Sequence, residues 1–363
     1  MRRRAIISDI HGNLPALEAV LADIATQKVD EIVCLGDVCG YGPQPLECIA
    51  LLREKCVWML LGNHDEAIFK EPLGFSSNAY DAIKWQRKLL DPAHGAPDTA
   101  EVRERLEWLK NLTPGRKEGA VTYVHAAPRD PLHEYVLKED YDSRMGGPSP
   151  AAKANFELIE ELCFCGHSHR PGVVAEDYLW HTPEDLGDGR YVLRPGFKTL
   201  VNAGSVGQPR DKHPEACYVL YDTPKQSALS SPAAPLAATQ AQPTAVPANG
   251  DTHTLVLPRA ANERRPSGIS QISHPELLSP DKKLSAEAAA LTETQRVELV
   301  ERVDEETRTE TDPVMQKARD TVLLRMPKIN FRRVPYDVAE TSRRIFAIPE
   351  LPKYNAIRLA KGL

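Results

Sequence analysis

Short apolar runs punctuate the first two-thirds of the chain, and each stops abruptly at polar residues. Ala5-Ile6-Ile7 runs into Ser8-Asp9-Ile10-His11-Gly12-Asn13, and Glu31-Ile32-Val33-Cys34-Leu35 into Gly36-Asp37. Val57-Trp58-Met59-Leu60-Leu61 ends at Gly62-Asn63-His64-Asp65, and Ala120 to Val124 at His125. Leu162-Cys163-Phe164-Cys165 ends at Gly166-His167-Ser168-His169. Runs of this length read as buried strands. Helical spacing fills the gaps. Leu17, Val20, Leu21 and Ile24 follow Asn13, a capping residue, with Pro15 in the first turn. A second helix is predicted over Pro45 to Glu54. Residues 66–118 read as mostly helical, with Ala79, Ile83, Gln86 and Leu90 on one face and Asp98-x-x-Glu101 as a capping box. A helix around Ala151 to Glu161, short strands between Val173 and Leu193, and strands at Thr199–Val201 and Ala216–Tyr221 complete this part. Strand–helix alternation implies a parallel sheet flanked by helices.

The pattern then breaks. From Pro224 to Pro258, 21 of 35 residues are Ala, Pro, Ser or Thr, and no Phe, Trp or Tyr occurs between Tyr221 and Phe331. Such a segment buries too little apolar surface to offset its ordering entropy. Disorder is expected over Pro224 to about Pro280, with a charged helix over Ser285 to Arg302. Strand pattern returns at Ile329–Val334, followed by a closing helix. The expected organisation is a main part over 1–223, a low-complexity insertion over 224–327, and a return to the same domain over 328–363. The insertion then interrupts a hairpin; it is either a spacer or a tether for a protein partner.

Composition narrows the class. With 363 residues, 42% of them apolar, a sizeable core is available. A net charge of −6 argues against an extended nucleic-acid footprint. No run is long enough to span a bilayer. The seven cysteines form no Cys-x-x-Cys and sit near apolar runs, as free thiols do in a reducing cytoplasm, the expected location.

The candidate chemistry sits at the ends of the apolar runs. Asp9, His11, Asp37, Asn63, His125, His167 and His169 each follow one of them. On an extended backbone, residues two apart point the same way, so Asp9/His11 and His167/His169 are each expected to face one point. Carboxyl ends of parallel strands share an edge, where all seven can converge. Seven oxygen and nitrogen ligands exceed the needs of one zinc and suit two metals sharing a carboxylate.

In order and spacing, these motifs resemble the calcineurin-like metallophosphoesterase superfamily. Ser8 to Asn13, Gly40-Tyr41-Gly42-Pro43 and Asn202-Ala203-Gly204-Ser205-Val206-Gly207-Gln208-Pro209-Arg210 are similar to its small bacterial and archaeal phosphodiesterase branch, although Ala203 stands where that branch usually has proline. Val38-Cys39-Gly40-Tyr41-Gly42 departs from the Asp and Arg that the Ser/Thr phosphatases carry after Gly-Asp. The resemblance covers residues 1 to about 222 and 328–363 and implies an α/β fold, the four-layer α+β sandwich of two sheets flanked by helices. It implies one metal on Asp9, His11, Asp37 and His169, and another on Asp37, Asn63, His125 and His167. It also implies His64 as the catalytic histidine, oriented by Asp65. Manganese is the expected ion; iron, nickel or zinc also suit the ligands. The implied activity is phosphodiester hydrolysis by a metal-bridging hydroxide, on a small phosphate ester or nucleotide. Phosphoanhydride or phosphomonoester hydrolysis, or a scaffold that has lost catalysis, are the alternatives. Arg210, Tyr41 and Arg129 are candidate substrate contacts, and Asn202 and Ser205 candidate braces.

Overall fold

The computed structural model describes residues 1–223, Ala234–Pro235 and 326–363. Strand β1 (Arg2–Ile7) leads into helix α1 (Leu14–Thr26), whose first turn Asn13 caps by accepting the Ala16 N–H at 3.3 Å. Then come β2 (Glu31–Cys34), α2 (Pro45–Lys55), β3 (Trp58–Met59), a single turn α3 (Asn63–Glu66), α4 (Ser77–Leu90) and α5 (Ala100–Lys110). Thr99, not Asp98, caps α5, accepting from Val102 N–H. Residues 66–118 are not helical throughout: β4 (Gly115–Glu118) pairs antiparallel with β5 (Val121–Val124). Its charged residues conceal it, because the strand is specified by pairing with β5 rather than by its own apolar content. After β5 the chain forms α6 (Lys138–Tyr141), α7 (Pro150–Leu158), β6 (Leu162–Cys165), β7 (Gly172–Ala175), β8 (Arg190–Val192), β9 (Thr199–Asn202) and β10 (Ala216–Thr223). A two-residue strand β11 (Ala234–Pro235) pairs with Arg116 and Lys117. Strand β12 (Lys328–Val334) and helices α8 (Val338–Ala347) and α9 (Tyr354–Leu359) close the chain. The helix expected over Ser285–Arg302, like the rest of the insertion apart from β11 and residues 326–327, lies outside the described residues.

The strands form two six-stranded mixed sheets, ordered β3-β2-β1-β10-β12-β8 and β11-β4-β5-β6-β9-β7. The single parallel edge expected from the alternation is thus divided. Strands β1, β2 and β3 run parallel in one sheet, and β5, β6 and β9 in the other, with antiparallel strands flanking each set.

Period-two alternation builds the layers. Ile6, Val33, Val219, Phe164 and Val201 fill the space between the sheets. Their neighbours Ala5, Ile7, Cys34, Tyr218 and Leu220 turn outward to pack with Leu17, Val20, Ile49 and Ile83 of α1, α2 and α4. Val124, Cys163, Cys165 and Leu200 turn out from the second sheet onto Phe156 of α7 and Trp180. The result is the four-layer helix–sheet–sheet–helix sandwich. No described helix is long and apolar enough to cross a membrane.

Strands β10 and β12 pair in continuous register, from Ala216 opposite Val334 to Asp222 opposite Lys328. Directly paired residues lie about 5 Å apart, so a few residues can close the hairpin. Met326 is buried and the Pro327 carbonyl accepts the Leu193 N–H, so both belong with β12. Replacing residues 224–325 with a short Gly/Ser linker is therefore expected to lower Tm by no more than about 4 °C, on the order of 1 kcal/mol. A much larger fall in a thermal melt means that the insertion packs on the sandwich.

Candidate metal centre

All seven proposed ligands are buried and converge where the carboxyl ends of the two parallel strand sets meet. Asp9, His11, Asp37 and His169 form one group able to hold a cation, and Asp37, His125 and His167 a second, so Asp37 is common to both. Asn63 Oδ1 joins the second group, 3.2 Å from His125 Nε2 and 3.1 Å from His167 Nδ1.

The route to convergence differs from the expected one. Strand β1 ends at Ile7, and Asp9 and His11 lie beyond it in left-handed backbone, at φ +55° and +49°. Asp37, Tyr41, His167 and His169 are also left-handed, so six of the nine described non-glycine residues with positive φ surround this one site. Such conformations are costly for side-chain-bearing residues and persist where the surroundings hold them. Here the Ile10 and His11 N–H groups both donate to the Asp37 carbonyl, at 2.8 and 2.9 Å, lashing the first ligand turn to the second. Glycines allow the remaining approaches. A Cβ on Gly62 would lie 2.0 Å from Asp37 Oδ1, and one on Gly166 would lie 2.0 Å from Ser8 Oγ and 2.5 Å from Asp9 Oδ2.

Backbone carbonyls set the histidine tautomers. A carbonyl only accepts, so His11, His125 and His169 donate from Nδ1 to the carbonyls of Cys39, Leu35 and Gln208, at 2.7, 2.9 and 2.6 Å. His167 donates from Nε2 to the His133 carbonyl at 3.1 Å. The opposite nitrogen of each neutral ring is then a lone pair facing inward. His11 Nε2 and His169 Nε2 are 3.1 Å apart, and His169 Nε2 is 3.3 Å from Asp9 Oδ1. Asp37 Oδ1 accepts the His64 N–H at 2.9 Å, while Asp37 Oδ2 is buried with no hydrogen-bond partner, 3.6 Å from His11 Nε2 and 3.5 Å from His125 Nε2. Acceptors this close, without protons between them, are stable only around positive charge. This donor set fits divalent cations, with oxygen and imidazole ligands and each ring oriented from behind. Burial drives His11, His167 and His169 well below the ordinary histidine range and lowers His125. Burial, then the nearby Asp65 and Asp9 carboxylates, raises Asp37 well above the ordinary range.

His64 packs its ring against His11, Tyr41 and Phe75, with centroids 4.7–4.8 Å away. Its Nδ1 is buried without a partner and faces Gly40, where an added Cβ would approach to 2.3 Å. Asp65 does not orient this ring. Its Oδ1 accepts from Cys39 N–H at 2.9 Å, and its Oδ2 from the Asp37 and Gly62 N–H groups at 2.8 and 3.1 Å. Asp65 is thus a splint that holds the Asp37 turn against the Gly62 turn. Burial pushes it up to about 6, against the lowering effect of those N–H donors.

Asn202 and Ser205 occupy bracing positions. Asn202 Nδ2 donates to the Gly166 carbonyl and Ser168 Oγ, and Ser205 Oγ donates to the Asp9 carbonyl. Tyr41 and Arg210 reach the rim together: Arg210 Nη2 donates to Tyr41 Oη at 3.1 Å, and Tyr41 lies 4.8 Å from the His11 ring. Arg129 is not brought to this rim contact; its Nε lies 3.6 Å from Glu134 Oε2. Three neighbours carried no motif in the sequence. Tyr135 lays a half-exposed ring on His167 at 4.3 Å, Gln86 binds Gly40 N–H and the Gly42 carbonyl, and Arg358 reaches Tyr41 from α9. An aromatic four residues after Pro131 was the one available signal for Tyr135, and it is too common to single out.

Asp65→Ala leaves three buried N–H groups without an acceptor, at about 1–3 kcal/mol each. Chemical denaturation is expected to show a loss of several kcal/mol. Full stability accompanied by lost turnover contradicts the splint and returns Asp65 to a role beside His64.

The profile of the calcineurin-like phosphoesterase family matches residues 2–171. An uncharacterized protein of Methanocaldococcus jannaschii is 36% identical over 228 residues, a span covering 60% of this chain and 82% of that protein. The crystal structure of a metallophosphoesterase from Sphaerobacter thermophilus superposes with a TM-score of 0.57 at 26% identity, covering 100% of this chain and 99% of that one. With its buried acceptor cluster held by a four-layer sandwich, the chain belongs to the calcineurin-like phosphoesterase family.

Proposed function

We infer that the chain is a phosphodiesterase working with two divalent ions, manganese foremost. One ion is held by Asp9, His11, Asp37 and His169, and the other by Asp37, Asn63, His125 and His167. The observation carrying this reading is the partnerless Asp37 Oδ2 between two inward-facing imidazole nitrogens. Paired ions supply Lewis acidity and an activated water for in-line attack on a phosphorus centre. Asp9 and Asp37 contribute the two carboxylates of the ligand set, whereas the other ligands are neutral. Two divalent ions therefore leave the centre cationic, which favours an anionic diester. The seven free cysteines are compatible with the cytoplasmic location expected of it.

The chain's own groups handle orientation. Asp65 holds the Asp37 backbone N–H and the His64 N–H binds Asp37 Oδ1, which leaves Oδ2 as the oxygen that would be available to both ligand groups. Among the described residues the His64 ring bonds to no ligand side chain, and it remains available to the ester. In the proposed reaction its N–H reaches the leaving-group oxygen, and general acids of this kind contribute about 10²–10⁴-fold.

Metal loading tests the ligand assignment. Elemental analysis after equilibration with manganese is expected to give two ions per chain, and Asp37→Ala to lose most of both. Removing the ions with EDTA should lower Tm, since a ligand bound only by the folded state stabilises it. A single equivalent in well-folded wild-type protein contradicts the paired-ion reading.

His64→Ala is expected to keep both ions. It should slow alkyl or nucleotide diesters, whose leaving alkoxide is strongly basic, far more than bis-p-nitrophenyl phosphate. Equal losses on both substrates assign His64 to electrostatic binding of the phosphoryl oxygens, and loss of metal makes it a ligand.

A further inference from the structure

Two arginines distant in sequence meet at one tyrosine beside this centre. Arg210 lies with Cζ 5.7 Å from the Tyr41 ring centroid, anchored through Nη2 to Tyr41 Oη at 3.1 Å and Gln208 Oε1 at 2.9 Å. Arg358 lies with Cζ 5.9 Å from the same centroid. Its Nε donates to the Leu363 carbonyl, and its Nη groups have no partner among the described residues. Neither guanidinium forms an ion pair with a described Asp or Glu side chain, although most described arginines do. Both are partly buried.

Two like charges beside one ring repel, and partial burial strengthens the repulsion. Burial and Arg210 together lower the Arg358 guanidinium below its ordinary value. Helix α9 holds this arrangement in place: Asn355 Nδ2 donates to the Tyr41 carbonyl at 3.4 Å, and Leu359 packs into the core that α8 and α9 share with α4. An arginine pair without an Asp or Glu partner, with the Arg358 Nη groups unpartnered among the described residues and helix α9 holding Arg358 next to a phosphoesterase centre, is suited to a phosphate anion, for which planar guanidinium donors are well matched.

We propose that Arg210 and Arg358, arranged around Tyr41, form a second anion subsite that binds a phosphate other than the one being cleaved. The subsite rests on the phosphodiesterase reading and narrows its substrate class to diesters that carry an additional terminal phosphate. Tyr41 stands between the pair and His11, its ring 4.8 Å from the His11 ring. The scissile group belongs on the His11 side and the additional phosphate on the arginine side.

The probes are the linear diadenosine diester ApA and its 5′-phosphorylated form pApA. Calorimetry on manganese-loaded protein, with analogues of both whose scissile P–O bond is replaced by P–CH2, measures binding without turnover, and steady-state kinetics with ApA and pApA measures hydrolysis. Wild-type protein is expected to prefer pApA by about tenfold or more in Kd and KM, the scale of a charge-assisted bidentate contact. Arg358→Ala should reduce that preference to near unity, with the change in KM rather than kcat, and Arg358→Lys should restore part of it. Thermal melts check that both variants fold. No preference for pApA in wild-type protein overturns the subsite. So does a preference that survives Arg358→Ala, or an equal loss on ApA and pApA, which makes the pair a clamp on the scissile phosphate. If wild-type protein cleaves neither diester, the phosphodiesterase reading fails, while calorimetry still decides whether the subsite exists.

Discussion

The structure turns on the Asp37 carboxylate. Its backbone N–H is tied to Asp65, its carbonyl accepts from both Ile10 and His11, and one side-chain oxygen takes the His64 N–H. Three ligand turns are thereby fixed relative to one another before any cation arrives. The other oxygen is left bare among imidazole lone pairs. A cluster of buried acceptors without donors cannot be stabilised by packing, because its desolvation cost is not offset by hydrogen bonds. It needs positive charge, and rings bonded from behind to Cys39, Leu35, Gln208 and His133 carbonyls cannot rotate away to find another partner.

That rigidity has a backbone component. Left-handed φ values at Asp9, His11, Asp37, His167 and His169 turn the chain sharply within a residue or two of each strand end. An extended continuation would carry the ligands away along the strand axes and into the space between helices. The turns instead fold them back over the edge where two sheets meet. Strain of this kind costs on the order of 1–3 kcal/mol per residue and is retained only where neighbouring contacts determine the geometry. The Ser205 hydroxyl on the Asp9 carbonyl and the Asn202 amide on the Gly166 carbonyl are such contacts; Asn202 ends β9 and Ser205 lies in the loop that follows.

The identity of the clustered residues was legible in the sequence, because each one interrupts an apolar run at its end and strand ends converge in layered α/β folds. How they converge was not. A period-two argument treats Asp9-x-His11 as extended, whereas sequence pattern carries little information about positive φ outside glycine. Division into two sheets was hidden for a related reason: pairing partners such as β1 with β10 are set by contacts between distant segments. Asp65 reads as a partner of His64 by adjacency, yet its carboxylate points to backbone N–H groups, which leave no mark in a sequence. Arg358 has no motif at all and lies beyond the long Ala/Pro-rich insertion.

The position of that insertion explains how the fold tolerates it. It joins two strands already neighbours in the sheet, so the entropy of its closure grows only slowly with its length. The residues after it still have to return. Strand β12 completes the pairing of β10 with β8, and Thr341 on α8 donates to Asn13, which caps α1 and also binds the Gly207 carbonyl. Helix α9 then braces Tyr41 through Asn355, and Lys212 N–H bonds the Gly362 carbonyl near the chain end. The last 36 residues therefore support the first ligand turn from outside. A segment that contributes no ligand to the metal centre holds one of its walls in place and supplies that wall with a cation.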